Sequence, residues 1–414
     1  MMLFKLILAS LFSRKWMVLL TCFSIAISML VLVSVSHIEL QVRQSFERSV
    51  SGVDLIVGSR TSQLNLLLFS IFRIGYPSNN VSWQSFTTLA SDPQVSWAVP
   101  IVLGDSHRGY AVIGTTSDYF QHVKFAEKKA LSLHKGQLFQ HSNELVLGSS
   151  VAKEFGYQLN EKIILSHGAG KVSFTQHKDH PFKVVGILNT TGTPIDRAIY
   201  IPLESVDKLH EVGAHHSHEA EEHEADAAAE PPSVISAALL GVSNKISLLS
   251  LQRSISQSQM EPLSAILPGV ALRELWQIMS AVEMSLKVIA ILVLVASLIG
   301  MMTMLLASMR ERQRELAILR ALGARPWVIV LLVESEAFLI TLFGCITGYI
   351  MLIIALVFLQ PYLIQHYAFV ISAVPDPMSS MTYMGLALGF ACLLALVPAL
   401  SSYRKSLSGG LRLT

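Results

Sequence analysis

Four apolar runs constrain this chain more than any other feature of its sequence. They cover residues 16–38, 285–309, 327–358 and 381–400. Each is long enough for a helix that crosses a bilayer, which needs about 20 residues. Only 14% of the 414 residues are charged, whereas soluble proteins carry roughly 25%. The composition therefore predicts a membrane protein and argues against an ordinary cytosolic enzyme.

The first run has a cleaved signal peptide as its alternative interpretation. It is longer than the apolar core of a signal peptide. It is also not followed by a small-residue cleavage site and the polar start of a mature protein. We therefore interpret residues 16–38 as a retained membrane span.

Basic residues are concentrated in three short segments, 1–15, 310–326 and 401–414. Together these hold 11 basic and 2 acidic residues, whereas residues 39–284 hold 19 basic and 24 acidic ones. Loops rich in Lys and Arg remain on the cytoplasmic side of a membrane. We expect both termini and the Arg-rich segment to be cytoplasmic, in a multi-pass protein of the bacterial inner membrane. Residues 39–284 and the short loop 359–380 would then be periplasmic.

Residues 39–284 have the pattern of an α/β domain. Short runs rich in β-branched residues are bounded by Gly, Pro, Asn and Asp, as strands usually are. The spacing of residues 83–91 and 149–155 predicts helices between them, and residues 39–49 and 273–284 extend the flanking membrane helices as a stalk. The fold class is therefore an α-helical membrane protein with four spans and an α/β extracytoplasmic domain between the first two. The predicted strands cover residues 54–57, 98–103, 110–113, 144–147, 162–165, 182–188 and 198–201.

The stretch 210–232 departs from this pattern because it is rich in histidine. Five of the protein's 14 histidines lie there, interleaved with acidic residues, and it ends in Pro-Pro. Its low complexity predicts a loop. Imidazole and carboxylate groups bind Zn(II) and similar ions; the alternative is a solvated linker of biased composition. The predicted metal ligands are His210, His215, His216, His218 and His223.

Two short motifs resemble catalytic sites but have the wrong spacing. His218 and His223 are five residues apart and do not share a helix face, as the HExxH motif of zinc peptidases requires. Residues 168–171 read GAGK, but a phosphate loop needs Gly where Leu165 stands and Ser or Thr where Val172 stands. We expect no enzymatic activity, no catalytic cofactor in this subunit and no nucleic-acid partner.

The cytoplasmic segment 310–326 has the pattern of an amphipathic helix. Apolar residues recur at helical spacing with Arg and Glu on the other face. Gly323 ends this helix, and Pro326 begins the next at a position that tolerates proline. The pattern predicts a docking element for a cytoplasmic partner; the alternative is a charged loop that only sets topology. The predicted contact residues are Arg310, Glu311, Arg312, Arg314, Glu315, Leu316, Leu319, Arg320, Leu322 and Gly323.

The third apolar run carries two acids and a glycine pair. Acids within membrane helices usually have a function, but Glu334 and Glu336 lie near the predicted cytoplasmic end. We therefore expect them to support helix packing or an interface and not ion conduction. Gly344 and Gly348 form a small-xxx-small pair, which allows close contact between helices.

These segments resemble the FtsX/MacB/LolC-type permeases of ABC transporters. Residues 310–325, which read RERQRELAILRALGAR, are similar to the ERxxEIxxLRAxGA segment of that family. Residues 52–57, 147–152, 185–188 and 192–196 are similar to parts of its periplasmic core domain. The order of four spans, with one large loop after the first, also fits.

The resemblance implies a non-catalytic permease subunit of a type VII ABC transporter. It implies a separate cytoplasmic ATPase dimer, which binds ATP and Mg²⁺, and a second permease subunit, expected to be another copy of this chain. Residues 310–323 would be the coupling helix that contacts the ATPase. In this family, ATP binding is thought to move the stalks and the periplasmic domains.

The His-rich loop departs from the pattern of the resembled family. It suggests zinc or other metal handling, together with a periplasmic metal-binding or adaptor protein. Two alternatives with the same fold stay open. One is a regulator of a periplasmic hydrolase, of the cell-division type, and the other is an exporter of lipoproteins or peptides.

We expect the protein to bind Zn(II) with roughly micromolar or weaker affinity, because a loop without a preformed site favours exchangeable capture. Replacing His215, His216, His218 and His223 should abolish this binding. Isothermal titration calorimetry with Zn(II) tests the expectation. Identical binding by the wild type and the variant would contradict it.

Overall fold

The computed structural model describes residues 12–126, 128–167, 175–176, 181–206, 232–258, 260–311, 318, 325–367 and 371–408. The chain divides into two compact units. The helical unit consists of Met1–Gln41, Ser280–Pro361 and Ile371–Thr414, and the sheet unit consists of Val42–Met279 and Tyr362–Val370.

The elements of the described residues follow each other as an α/β segment inserted among long helices. The short helix Gln63–Leu67 continues into a π-helical turn, Leu68–Phe72. The helices are α1 Lys15–Ser49, α2 Gln63–Leu67, α3 Trp83–Ala90, α4 Asp118–His122, α5 Ser149–Phe155, α6 Leu248–Ser256, α7 Pro268–Glu311, α8 Pro326–Tyr367 and α9 Pro377–Ser408. The strands are β1 Leu55–Ser59, β2 Val81–Ser82, β3 Val95–His107, β4 Tyr110–Thr115, β5 Lys124–Phe125, β6 Lys129–Ala130, β7 Leu133–Gly136, β8 Glu144–Leu147, β9 Lys162–Ile163, β10 Ser166–His167, β11 Thr175–Gln176, β12 Phe182–Leu188, β13 Ala198–Pro202, β14 Val234–Ile235, β15 Ala237–Val242 and β16 Leu263–Ile266.

Four helices in the described part of the chain, α1, α7, α8 and α9, are long and apolar enough to cross a membrane. They contain the four predicted runs, and the α/β domain lies between the first two, so the predicted fold class is confirmed. Helices α1 and α7 also extend beyond the apolar runs, as the stalk prediction requires, although α7 begins earlier, at Pro268.

The third long helix differs from its prediction. We predicted a loop from residue 359, but α8 continues to Tyr367 and contains Pro361. A proline removes one backbone donor, and a membrane-associated helix tolerates this loss when its neighbours satisfy the freed groups. Helix α9 likewise extends beyond the predicted span, from Pro377 to Ser408.

Three of these long helices begin at a proline, namely Pro268, Pro326 and Pro377. Proline suits the first helical position because its missing N–H would have no partner there. At α9 the preceding Asp376 also accepts hydrogen bonds from the backbone N–H (2.9 Å) and the hydroxyl (2.6 Å) of Ser379. These bonds lower the pKa of the Asp376 carboxyl, so the acid is charged where the helix dipole favours it.

The sheet unit is built around a mixed sheet. Its central path runs in the order β16-β1-β15-β3-β4-β13-β8-β12-β7. Within this path β13 is parallel to β4 and β8 is parallel to β12, and the other neighbours are antiparallel. The pairing of the long strand β3 with β4 is irregular between Leu103 and Ser106, and β3 pairs with β10 through Asp105 and Ser106.

Both faces of this sheet are buried. In β8, Leu145 and Leu147 belong to one core and Val146 to the other, and all three are fully buried. The same alternation occurs in β13, where Ile199 and Tyr200 face opposite cores. A strand covered on both sides reads as a continuous apolar run, which explains why residues 144–147 and 182–188 were predicted with the bounds that β8 and β12 have.

Helices cover the two faces of the sheet. Phe86 of α3, Val151 of α5 and Leu251 of α6 pack in one core. The π-helical turn after α2, helix α4 and the first turn of α7 fill the other core. The start of α7 is therefore part of the fold of the sheet unit, since Ala271 and Leu272 are buried there.

A buried carboxylate organises the turn before β13. Asp196 is fully buried and accepts hydrogen bonds from the backbone N–H groups of Thr191 (2.9 Å) and Gly192 (2.7 Å), and from the Thr191 hydroxyl (2.9 Å). Burial raises the pKa of Asp196, and these hydrogen bonds oppose that increase. The backbone N–H groups of this turn use the Asp196 carboxylate as their hydrogen-bond acceptor.

We predict that Asp196→Ala weakens the sheet unit by about 1–3 kcal/mol, because buried backbone donors would lose their acceptor. Hydrogen–deuterium exchange of β8, β12 and β13 in the full-length protein should increase. The control is Asp118→Ala, at the exposed start of α4. Equal protection of these strands in Asp196→Ala and the wild type would contradict the prediction.

Candidate functional site

The helices α1 and α7 are the strongest candidates for a functional element, because each belongs to both units without a break. Helix α1 passes from the helical unit to the sheet unit after Gln41, and α7 passes between Met279 and Ser280. The two helices also contact each other within each unit.

At one end of the pair, Arg14 holds the last turn of α7. Its guanidinium donates a hydrogen bond to the carbonyl of Ser308 (3.1 Å) and lies 3.3 Å from the carboxylate of Glu311. The last carbonyls of a helix lack intrahelical partners, and a cation is favourable beside them. We predicted Glu311 as an ATPase contact; the structure places it at this junction, with its side chain 61% exposed.

Along the apolar part, the same helices meet through serines. The hydroxyl of Ser297 lies 3.0 Å from that of Ser24 and 2.6 Å from that of Ser28. Such bonds between membrane helices average roughly 0.6 kcal/mol each. They fix the rotation of one helix against the other more than they stabilise the pair.

An ion pair joins the helices near the other end of the helical unit. The Lys287 ammonium lies 2.5 Å from the Glu39 carboxylate, and both side chains are largely covered. Lys287 lies near the start of the apolar run 285–309. Pairing removes the cost of an isolated charge at that position.

In the sheet unit, aromatic rings join α1 to α7 again. Phe46 stacks on Phe72 of the π-helical turn (4.3 Å between centroids) and meets Trp276 edge-on (5.5 Å). The Arg43 guanidinium lies 5.3 Å from the centre of the Trp276 ring. Aromatic pairs contribute about 0.5–1.5 kcal/mol beyond burial. We call Arg43, Phe46, Phe72 and Trp276 the stalk cluster.

The glycine pair of α8 packs against α1. A Cβ atom at Gly348 would overlap the backbone of Ala26, and one at Gly344 would lie 2.8 Å from the Ile25 side chain. Nearby, the Cys22 thiol donates to the carbonyl of Ile340 (3.4 Å). The two backbones approach closely because these positions lack side chains.

Helix α1 also contacts the segment around the start of α9. The hydroxyls of Ser36 and Tyr383 lie 2.9 Å apart, and a ring nitrogen of His37 lies 2.8 Å from the carbonyl of Ser372. The Gln41 side chain accepts a hydrogen bond from the backbone N–H of Ser372 (3.1 Å). With its contacts to α7 and α8, α1 thus contacts each of the other three long helices.

The two membrane acids lie within the bundle. The carboxyl of Glu334 is beside the Cys392 thiol of α9, and Glu336 is 3% exposed. Farther along α8, the Thr341 hydroxyl lies 3.4 Å from the Met301 sulfur of α7. This placement agrees with a packing role, and the packing role of the acids remains a prediction.

Most of the predicted coupling helix lies outside the described residues. This applies to Arg312, Arg314, Glu315, Leu316, Leu319, Arg320, Leu322 and Gly323. The described flanks are Arg310 and Glu311 at the end of α7 and Arg325 before α8.

The predicted metal ligands also lie outside the described residues, namely His210, His215, His216, His218 and His223. Within the ranges that the structure describes, no group of three or more His, Cys, Asp or Glu residues is arranged to hold a metal ion. The zinc prediction therefore stays a prediction from the sequence.

Sequence reasoning did not identify the residues that join α1 to α7. A serine in an apolar run, such as Ser28 or Ser297, gives no sign of its partner. The Phe46 and Trp276 pair had a weak signal, since both aromatic residues lie in segments that were predicted as stalk. The glycine pair was found because its spacing places both residues on one helix face.

Comparison with known proteins assigns the class of this molecule. The model of the MacB-like periplasmic core domain matches residues 18–239, and the model of the FtsX-like permease C-terminal region matches residues 287–407. No curated protein sequence matches the chain.

Two similar solved structures are domains that lie outside the membrane. One is the periplasmic region of MacB from Actinobacillus actinomycetemcomitans, at 13% identity and a TM-score of 0.35, covering 56% of this chain and 97% of that one. The other is the extracellular domain of the ABC-type transporter YknZ from Gram-positive bacteria, at 13% identity and a TM-score of 0.31, covering 51% of this chain and 98% of that one.

The fold and the two family matches define a multi-pass membrane protein with an α/β domain between its first two spans. The chain belongs to the FtsX/MacB family of ABC transporter permeases, as its sequence motifs indicated. Members of this family are permease components and are generally non-catalytic, and membership implies a cytoplasmic ABC ATPase as partner.

We predict that Gly348→Leu destabilises the helical unit by about 1–3 kcal/mol, because the new side chain would separate α8 from α1. The measurement is thermal unfolding of the purified protein in lipid nanodiscs. Gly385→Leu is the matched control, since a Cβ atom there meets nothing within 4 Å. Equal losses of stability in both variants would contradict the close packing of Gly348.

Proposed function

We propose that this chain is a permease subunit that transmits mechanical work from its cytoplasmic ATPase to the periplasmic α/β domain. In this mechanism ATP binding moves the ends of α7 and α8 through the segment between them. Helices α1 and α7 then carry the movement to the sheet unit. Cargo is handled by the periplasmic domain and does not pass between the membrane helices.

The observation that carries this proposal is the double membership of α1 and α7. Each contributes to the core of the helical unit and to that of the sheet unit. They are joined by Arg14, by the Ser24–Ser28–Ser297 group, by Lys287 and by the stalk cluster. These contacts support movement of the two helices as a pair, since several would have to break for one helix to slide along the other.

Orientation and assembly follow from charge and family. We propose that both termini and the segment 310–326 face the cytoplasm of a bacterium, and that the protein lies in the inner membrane. The excess of basic residues in those segments supports this orientation. A second copy of the chain would complete the permease, with one ATPase beneath each copy.

The His-rich loop favours zinc or another metal ion as the substance that the protein handles. Its five histidines would capture Zn(II) in the periplasm and exchange it with a metal-binding or adaptor protein. Regulation of a periplasmic hydrolase and export of lipoproteins or peptides are the alternatives within the same mechanism.

We predict that Glu315→Lys and Leu319→Asp each reduce stimulation of the ATPase at least about tenfold, because a reversed or buried charge disrupts a docking interface. Membrane insertion should be unchanged. The assay is ATP hydrolysis by the reconstituted complex.

The matched control for these variants is Gln313→Lys, which adds a lysine in the same segment outside the predicted contact set. Its stimulation should stay near that of the wild type. Unchanged stimulation in both Glu315→Lys and Leu319→Asp would refute the assignment of the coupling helix.

A further inference from the structure

A cavity of about 730 Å³ lies within the sheet unit and has no role in the mechanism described above. Its walls come from the end of α1, the turn that follows α2, the β3–β4 hairpin, the turn before β13 and Leu363 of α8. Sites for small molecules usually measure about 300–1,000 Å³. The cavity is therefore large enough for a ligand with about the size of a lipid fragment or a cofactor.

Most of the cavity wall is apolar. Phe46 and Phe72 of the stalk cluster line it, together with Leu103 from β3. Two further lining side chains, Ile74 and Tyr76, are 54% and 58% exposed. Large apolar side chains that stay exposed beside an apolar cavity indicate a binding surface. The ligand would therefore have an apolar body.

The end of the π-helical turn that follows α2 determines where Ile74 and Tyr76 lie. The π-helical turn stops at Arg73, whose φ of 61° lies in the left-handed region. This conformation is uncommon for a residue with a side chain, and it turns the chain sharply. Ile74 and Tyr76 follow directly, so the turn places them at the cavity.

Two arginines line the same cavity. The Arg73 guanidinium donates hydrogen bonds to the carbonyl of Ser70 and to the hydroxyl of Tyr119. The Arg197 guanidinium lies 5.0 Å from the centre of the Tyr110 ring, whose own hydroxyl donates to Glu154. Both cations are thus held by neighbouring groups and are not freely mobile.

The balance of charge in the wall is positive. Asp105 is the acid among the lining residues; it is 7% exposed and already has an interaction partner. A guanidinium has five N–H donors and can bind more than one partner at once, and Arg197, like Asp105, already has an interaction partner. Arginine binds carboxylate and phosphate groups through paired hydrogen bonds.

We propose that this cavity binds an anionic amphiphile, a molecule with a carboxylate or phosphate group attached to an apolar chain. Arg73 and Arg197 bind the anionic group, and Phe46, Phe72 and Tyr76 contact the apolar part. The proposal is independent of the ATPase, because every residue that it uses belongs to the sheet unit. It also places the ligand against Phe46, which packs on Trp276 of α7.

The test uses the full-length protein in nanodiscs of phosphatidylcholine. The probe is dodecanoate carrying a photoreactive diazirine on its chain, and labelled peptides are mapped by mass spectrometry. We expect labelling of peptides that contain residues 45–49 and 72–76. An uncharged dodecanol analogue with the same diazirine should label them about tenfold less, because it lacks the charge-assisted contacts.

The double variant Arg73→Gln/Arg197→Gln should lose labelling by the dodecanoate probe about tenfold. The matched control is Arg108→Gln, an exposed arginine of the same hairpin that does not line the cavity. Since Arg73 also supports its own turn, Tyr76→Ser provides a second variant at an exposed position. It should weaken labelling while thermal stability stays that of the wild type.

Competition separates the two sources of such a ligand. If phosphatidylglycerol in the nanodisc suppresses labelling, the natural ligand is a membrane lipid. If only soluble dodecyl phosphate suppresses it, the ligand is a free amphiphile. The proposal is overturned if charged and uncharged probes label equally, if the double arginine variant labels like the wild type, or if labelling is confined to the apolar spans.

Discussion

The lack of water in a bilayer determines the plan of this protein. Backbone groups inside the membrane can be satisfied only within helices, so the chain crosses as α1, α7, α8 and α9. Two of these helices do not end with their apolar runs. Helices α1 and α7 continue into the sheet unit, where the first turn of α7 is part of the hydrophobic core. The helices that the membrane requires therefore also contribute to the fold of the sheet unit.

Different interactions serve different purposes along α1 and α7. The serine contacts in the apolar part are weak, because hydrogen bonds between membrane helices add little net free energy. Close packing of Gly344 and Gly348 against α1 acts over more atoms and sets the distance between helices. In the sheet unit, apolar burial and the rings of Phe46, Phe72 and Trp276 dominate. Polar contacts thus set orientation, whereas packing supplies most of the stability.

The sequence predicted those parts of the fold in which one signal was unambiguous. The apolar runs indicated the spans, and the runs 144–147 and 182–188 indicated β8 and β12. Strand β15 was not predicted, because Ala237, Ala238, Leu239 and Leu240 are all good helix formers and only their tertiary pairing makes them a strand.

Sites assembled from distant segments could not be predicted in this way. The cavity uses five segments spread from residue 45 to residue 363, and no local pattern shows that they converge. The glycine pair needed only its own spacing and was identified. The left-handed Arg73, which shapes the cavity edge, follows an apolar stretch that has no Gly or Asn to mark a turn.

The central proposal is that nucleotide binding by the cytoplasmic ATPase moves the periplasmic α/β domain. The most direct measurement is the distance between spin labels at Met378, an exposed position at the start of α9, and Lys153, an exposed position on α5. It would be recorded for the complex with its ATPase in nanodiscs, with and without ATP. The account predicts that ATP shifts the distance distribution. The same distribution in both states, while the ATPase remains bound and active, would contradict the account.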